Sequence, residues 1–211
     1  MGVISNGTTI LDAGALDGGL ATGAMTHIKT LTASSSATLS FVNGVSSVVF
    51  DGTYKEYIFK FYDIHPAAVS YFSVNFSDDT SSHAYNIAKT STAFVAWHDE
   101  ADTATSLQYR TAYDTAQVTG IQALGGDTMG ITNDNCGSGY LQIYDPANTT
   151  FVKHYMSEFK PNYNASNGST PYSHHGFTSG YVNTTAAVTA VQFKMSTGNI
   201  DAGTIKLYGI K

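Results

Sequence analysis

The chain is 211 residues long, enough for one sizeable β domain without requiring a second. Charged residues make up only 12% of it, about half the usual share, so hydroxyls and amides must supply its polar surface. A net charge of −6, with Arg110 as the single arginine, leaves no basic stripe for a phosphate backbone and argues against nucleic acid, while no apolar run nears the ~20 residues of a membrane-spanning helix.

Residues 1–24 are rich in Gly, Ala and Thr. Val3, Ile4, Ile10, Leu11, Leu16 and Leu20 are too sparse and too often interrupted by glycine for a free-standing helix. Small apolar residues along such a segment describe an arm that orders against something, either its own domain or a neighbouring subunit. The opening MGVISNGTTILDAG has neither a basic start nor a long apolar run, so no secretory leader is read there and synthesis in a cytoplasm is expected.

Residues 25–211 read as a single β-sandwich domain. His27–Ala33 and Ala37–Val42 are short strands around a serine turn. Tyr54–Ile64 is the strongest internal strand, with Tyr57, Phe59 and Phe61 on one side and Glu56, Lys60 and Tyr62 on the other. His65-Pro66 is expected to end it, and Tyr71–Ser77 to return beside it as a hairpin partner. Tyr85–Trp97 is extended chain, although a short helix over 93–103 is an alternative. Leu107–Tyr113 and Gly120–Leu124 supply further strands, and Gly139–Phe159 repeats the hairpin plan around Tyr144-Asp145-Pro146. Residues 125–139 and 162–175, rich in Gly, Asn and Ser, are expected to be display loops. Gly176–Val182 is a strand. In the closing stretch Val191, Phe193, Met195, Ile205 and Leu207 alternate with polar residues, as expected for a terminal hairpin with a filled core face. About eight to ten short strands with frequent turns point to an all-β sandwich, with a jelly roll the commonest solution at this size.

Few residues carry chemistry. Cys136 is the sole cysteine, so neither an intrachain disulfide nor a cysteine-based zinc site can form. His98-Asp99-Glu100-Ala101-Asp102 is the densest charge cluster. It could offer oxygens to a calcium ion, but it lacks the spacing of a calcium loop and reads better as a solvated turn. His174 and His175 are adjacent, so on extended chain they point to opposite sides and cannot share a metal ion. Gly125-Gly126-Asp127-Thr128-Met129-Gly130 is glycine-rich without a following helix, so flexibility rather than phosphate binding is expected of it. Glu56, Glu100 and Glu158 are the only glutamates, and no nucleophile elbow or zinc-protease motif is present. No enzymatic activity, cofactor or metal is expected. Tyr163, Tyr172, His174 and His175, with Phe177, could stack on and hydrogen-bond a glycan; the competing reading is that these aromatics anchor their loop to the sandwich.

Three stretches resemble a known group of proteins. They are the opening Met1–Leu16, the central Tyr54–Phe61 with Asp63–Pro66, and the closing Phe193–Ile210; His98–Asp102 and Thr150–His154 extend the likeness. The chain resembles small virion structural proteins of marine tailed bacteriophages, including cyanophages. The resemblance implies a non-enzymatic subunit made in the host cytoplasm and carried in the virion. On that basis the expected role is capsid decoration as a homo-oligomer, a trimer, in contact with the major capsid protein. A tail appendage or short tail fibre, or a module binding host surface glycans, is the alternative.

Overall fold

In a computed structural model the described residues are 2–12, 15–16, 24–163 and 171–211. Among them there are strands and turns and no helix. Sixteen strands run in chain order: β1 (Val3–Ser5), β2 (Thr8–Asp12), β3 (Ala15–Leu16), β4 (Met25–Thr32), β5 (Leu39–Val42), β6 (Glu56–Pro66), β7 (Phe72–Ser77), β8 (Lys89–Asp99), β9 (Thr105–Tyr109), β10 (Thr115–Val118), β11 (Gln122–Ala123), β12 (Gly137–Tyr144), β13 (Lys153–Tyr163), β14 (Tyr172–Val182), β15 (Ala190–Met195) and β16 (Ile200–Ile210). All the pairings are antiparallel.

The protein is an all-β sandwich. A nine-stranded sheet has the order β10-β8-β14-β13-β12-β6-β16-β4, with β9 also paired to β8. A four-stranded sheet, β11-β7-β15-β5, lies against it. The core between them is aromatic. From the large sheet come Tyr57, Phe59 and Phe61 of β6, Tyr155 and Phe159 of β13, and Leu207 of β16; from the small one come Phe41, Phe72, Phe76 and Phe193. Phe59 meets Phe41 and Phe193 edge-on, both at 5.1 Å between centroids, and Phe61 meets Phe72 at 5.1 Å and Phe193 at 5.2 Å. Such pairs add about 0.5–1.5 kcal/mol each beyond the apolar area they bury. Gln122 ties the layers together: its side-chain oxygen accepts from Ser91, Thr115 and Tyr155, and its amide donates to the carbonyls of Tyr113 and Ala123.

Several expectations need correction. β15 and β16 are not a hairpin, because β15 pairs with β5 and β7 while β16 pairs with β4 and β6. Nor are β6 and β7 partners; they too sit in opposite sheets. Alternation reveals that each strand has one buried face, but it is blind to whether two such faces lie side by side or look at each other across the core. The region around β12 and β13 does form a true hairpin, in register from Gly137↔Pro161 to Ile143↔Tyr155. No helix forms over 93–103, since Ala93 and Val95 alternate inward from β8 while Phe94 faces solvent. β6 runs through His65-Pro66, with Asp63 at a positive φ of 49° opposite Gly203 at 121°, so a bulge absorbs the irregularity instead of ending the strand. The two expected display loops shrink. Residues 122–126 are buried, β12 opens at Gly137, β13 extends to Tyr163, and β14 opens at Tyr172.

β1, β2 and β3 form a sheet of their own, and among the described residues none of them pairs with a strand of either layer. Val3 and Ile4 are 53% and 65% exposed. Ile10 is half-buried, and Leu11 is paired by its backbone with Val3 and Leu16. The side chains of Leu11 and Leu16, and residue Leu20, lie outside the described residues.

Candidate functional site: a cavity beside the small sheet

The inner face of the sandwich is covered by the small sheet over the first half of β8, where Gln122 reaches Ser91. Over the second half of β8 and the first half of β14 the cover is the segment 124–130. Its closeness depends on glycine at specific points. A Cβ on Gly176 would lie 2.1 Å from the carbonyl oxygen of Gly125 and 2.3 Å from its Cα, so here backbone rests directly on backbone. Gly125 and Gly126 have φ of +87° and +68°, which L side chains rarely adopt. The segment expected to be flexible is therefore pressed flat onto the sheet.

This placement sets Asp127 over the end of β9. Arg110 follows that strand, its amide donating to the carbonyl of Ala93 at 2.8 Å. Its guanidinium donates through Nε to the carbonyl of Gly126 at 3.0 Å and through Nη2 to Asp127 Oδ2 at 2.5 Å. It also lies over the ring of Tyr113, 5.5 Å from its centroid. Asp127 Oδ1 accepts from the amide of Thr128 at 2.8 Å and from the hydroxyl of Tyr113 at 3.4 Å. Burial, reinforced by the Asp127 carboxylate, pushes the Tyr113 phenol up to about 12.

The remaining walls come from alternate residues of two neighbouring strands. Trp97 and Asp99 face inward from β8, and Tyr172 and His174 from β14, with Tyr172 opposite Asp99 and His174 opposite Trp97. Together with Ala104, Gln108, Arg110 and Asp127 they enclose a cavity of about 330 Å³. Rings line one side: Trp97 and Tyr172 are 5.7 Å apart, and Tyr172 and His174 are 4.6 Å apart. His174 is 3% exposed, and its Nε2 lies 3.9 Å from Asp127 Oδ2. Its Nδ1 is buried and has no hydrogen-bond partner among the described residues. Burial holds the imidazole below its ordinary pKa; Asp127 opposes that shift and Arg110 adds to it, so the ring is neutral at pH 7. Asp99 is committed to the turn between β8 and β9, accepting from the hydroxyl and amide of Thr103 and the amide of Ala104. These hydrogen bonds, Thr103 first, hold its carboxyl below the usual range.

Of the four residues expected at a glycan site, two meet here. Tyr172 and His174 line the cavity, whereas His175 projects from the opposite face, as adjacent residues on a strand must. There its Nε2 lies 3.1 Å from Glu158 Oε2, and Tyr140 donates to the other carboxylate oxygen at 3.0 Å. The backbone of Tyr163 pairs with Tyr172, and its side chain lies outside the described residues. Phe177, also outward, stacks on Phe94 at 4.7 Å. That outer face continues through Tyr109 and Leu107, the latter 72% exposed. The other glutamates stand apart: Glu56 accepts from Gln142 at 2.6 Å, and Glu100 is exposed. In the charge cluster His98 reaches Asp102 at 3.1 Å on the exposed end of the β8–β9 turn. Among the described residues no three His, Cys, Asp or Glu side chains converge as metal ligands.

Trp97, Gln108, Arg110 and Asp127 were not legible as site residues. The only hint was scarcity, since Trp97 and Arg110 are the sole members of their types in the chain. The chain matches no protein-family model, no curated protein and no solved structure.

Proposed function

We propose that this chain is a non-enzymatic structural subunit of a tailed-bacteriophage virion, made in the host cytoplasm and placed on the capsid as a decoration protein. In this reading it assembles with copies of itself, as a trimer, and contacts the major capsid protein. The observation that carries the proposal is the β1–β3 sheet, which among the described residues pairs with neither layer of the sandwich and leaves Val3 and Ile4 exposed. A small isolated sheet is marginal in water, and an arm of this kind gains order by burying its apolar side chains on a neighbour. The exposed aromatic face of β8, β9 and β14 and the low charge agree with a subunit whose surface is partly covered in an assembly.

The strand order supports a finer reading of the fold as a jelly roll. The strands β4-β16-β6-β12 face β5-β15-β7-β11, and the chain crosses between layers at β4–β5, β5–β6, β6–β7, β7–β8, β10–β11, β11–β12, β14–β15 and β15–β16. We read this order as the eight-stranded pattern of two Greek keys, with β8–β10 and β13–β14 inserted to widen one sheet. The inserted strands supply both the cavity and the outer aromatic face. A tail appendage or short tail fibre is the second reading, favoured by a binding cavity built on strands added to the basic sandwich.

Deletion of residues 2–20 tests the assembly role. The shortened protein should retain its cooperative melt and fail to attach to particles. Undiminished incorporation would remove the arm from the account.

A further inference from the structure

We infer that the cavity between β8, β9, β14 and the segment 124–130 binds a neutral, polyhydroxylated ligand about the size of one pyranose ring, as offered by the terminal sugar of a glycan. This site is independent of the assembly role and would stand if that role failed.

The charge arrangement selects the ligand class. Arg110 is committed to Asp127 and the carbonyl of Gly126, Asp127 to Arg110, Thr128 and Tyr113, and Asp99 to Thr103 and Ala104. An anion would have to compete with Asp127 for the guanidinium, and a cation with Arg110 for the carboxylate. His174 adds no charge at neutral pH, because burial keeps it deprotonated. The cavity therefore offers flat rings and uncharged hydrogen-bonding groups. Trp97 and Tyr172 provide aromatic faces for the C–H surface of a sugar, and Gln108 provides an amide at the rim. His174 adds a third ring to the wall, 4.6 Å from Tyr172, on a side chain 3% exposed whose Nδ1 is sealed within the fold and takes no part in binding. The volume, about 330 Å³, lies at the small end of the ~300–1,000 Å³ typical of ligand sites, which suits one ring rather than an oligosaccharide groove.

Because Trp97 is the only tryptophan, its fluorescence reports the cavity directly. The probes are the methyl pyranosides of glucose, galactose, mannose and N-acetylglucosamine, titrated against the full chain. At least one should change the emission saturably, with half-saturation at ~1–10 mM as expected for so small a ligand. Gln108→Ala should weaken that response at least tenfold, as should Tyr172→Ala. Leu107→Ala, on the outer face, should leave it unchanged. Gln108 is exposed, so its replacement keeps the test valid if Tyr172→Ala compromises folding. Retention on the same sugars displayed as glycan termini would assign the source to a surface glycan, and binding of the free pyranosides alone to a soluble sugar. A flat response to all four probes overturns the inference. So does a response that survives both cavity substitutions, or saturation by sodium sulfate at lower concentration than any pyranoside.

Discussion

Gly176→Ala is the sharpest probe of how the cavity is built. The added Cβ would sit 2.1 Å from the carbonyl oxygen of Gly125, 2.2 Å from its carbonyl carbon and 2.3 Å from its Cα. All three are backbone atoms, so no side chain can rotate away. Restoring ordinary contact requires the segment 124–130 to rise from the sheet by roughly 1 Å. Arg110 bonds to the carbonyl of Gly126 at 3.0 Å and to Asp127 at 2.5 Å, and a shift of that size breaks at least one of them. Overpacking costs about 1–3 kcal/mol and a lost hydrogen bond to a charged group about 1.5–3, so we expect destabilisation of about 2–4 kcal/mol after partial relaxation. For a domain of this size that lowers Tm by roughly 5–15 °C. Urea denaturation, with an unchanged m-value, measures it. The emission of Trp97 should shift in the native baseline as its surroundings open. A variant within about 0.5 kcal/mol of the parent would refute the close backbone approach and the account of the cavity's roof.

Two further predictions concern buried polar groups. The Lys89 amine is fully buried, donating to Asn75 Oδ1 at 2.6 Å and the carbonyl of Ile87 at 2.9 Å, and burial lowers its pKa to about 8. Between that value and an unfolded pKa near ~10.4 the unfolded chain holds the proton and the native one does not. Native stability should therefore rise as pH climbs from about 8 to 10, by up to roughly 3 kcal/mol, with Lys153, also lowered by burial, acting in the same sense. Urea melts across this range should show the rise, Lys89→Met should reduce it to the smaller part due to Lys153, and a flat wild-type profile contradicts the assignment. The Tyr57 hydroxyl is buried and has no hydrogen-bond partner of good geometry among the described residues, and burial raises its pKa to about 12. Its contribution to stability is lost as pH rises from ~10 to ~12. Tyr57→Phe should accordingly leave stability at neutral pH unchanged or raise it by up to ~1 kcal/mol, and a loss greater than that would reveal a hydrogen bond to the hydroxyl.

Period-two alternation was legible, and so were the side chains it buries. Val191, Phe193, Met195, Ile205 and Leu207 are all fully buried, as are Tyr57 and Phe59, with Phe61 nearly so. The layer each strand joins was not legible. β15 and β16 have the pattern expected of two strands of a hairpin, and the four residues between them carry the chain across the sandwich instead. Nothing local distinguishes these outcomes, because both bury the same faces. Glycine misled for a related reason. In Gly125-Gly126 and Gly176 the missing side chain admits another stretch of backbone, yet in sequence the same composition reads as freedom. The cavity could be only half seen. Tyr172 and His174 stand out as neighbouring aromatics, whereas Arg110 and Asp127 come from the end of β9 and from a segment packed on the sheet. Their convergence depends on strand order, which pairs β14 with β8 across some 75 residues of chain.

The central claim is that this sandwich serves as an assembled subunit tied down by its first residues. A cryo-electron-microscopy reconstruction of the purified particle tests it most directly. The account predicts density for the sandwich on the capsid, in groups of three, with residues 3–16 laid against an adjacent subunit. Absence of the protein from the particle, or residues 3–16 folded back onto their own sandwich in every copy, would contradict it.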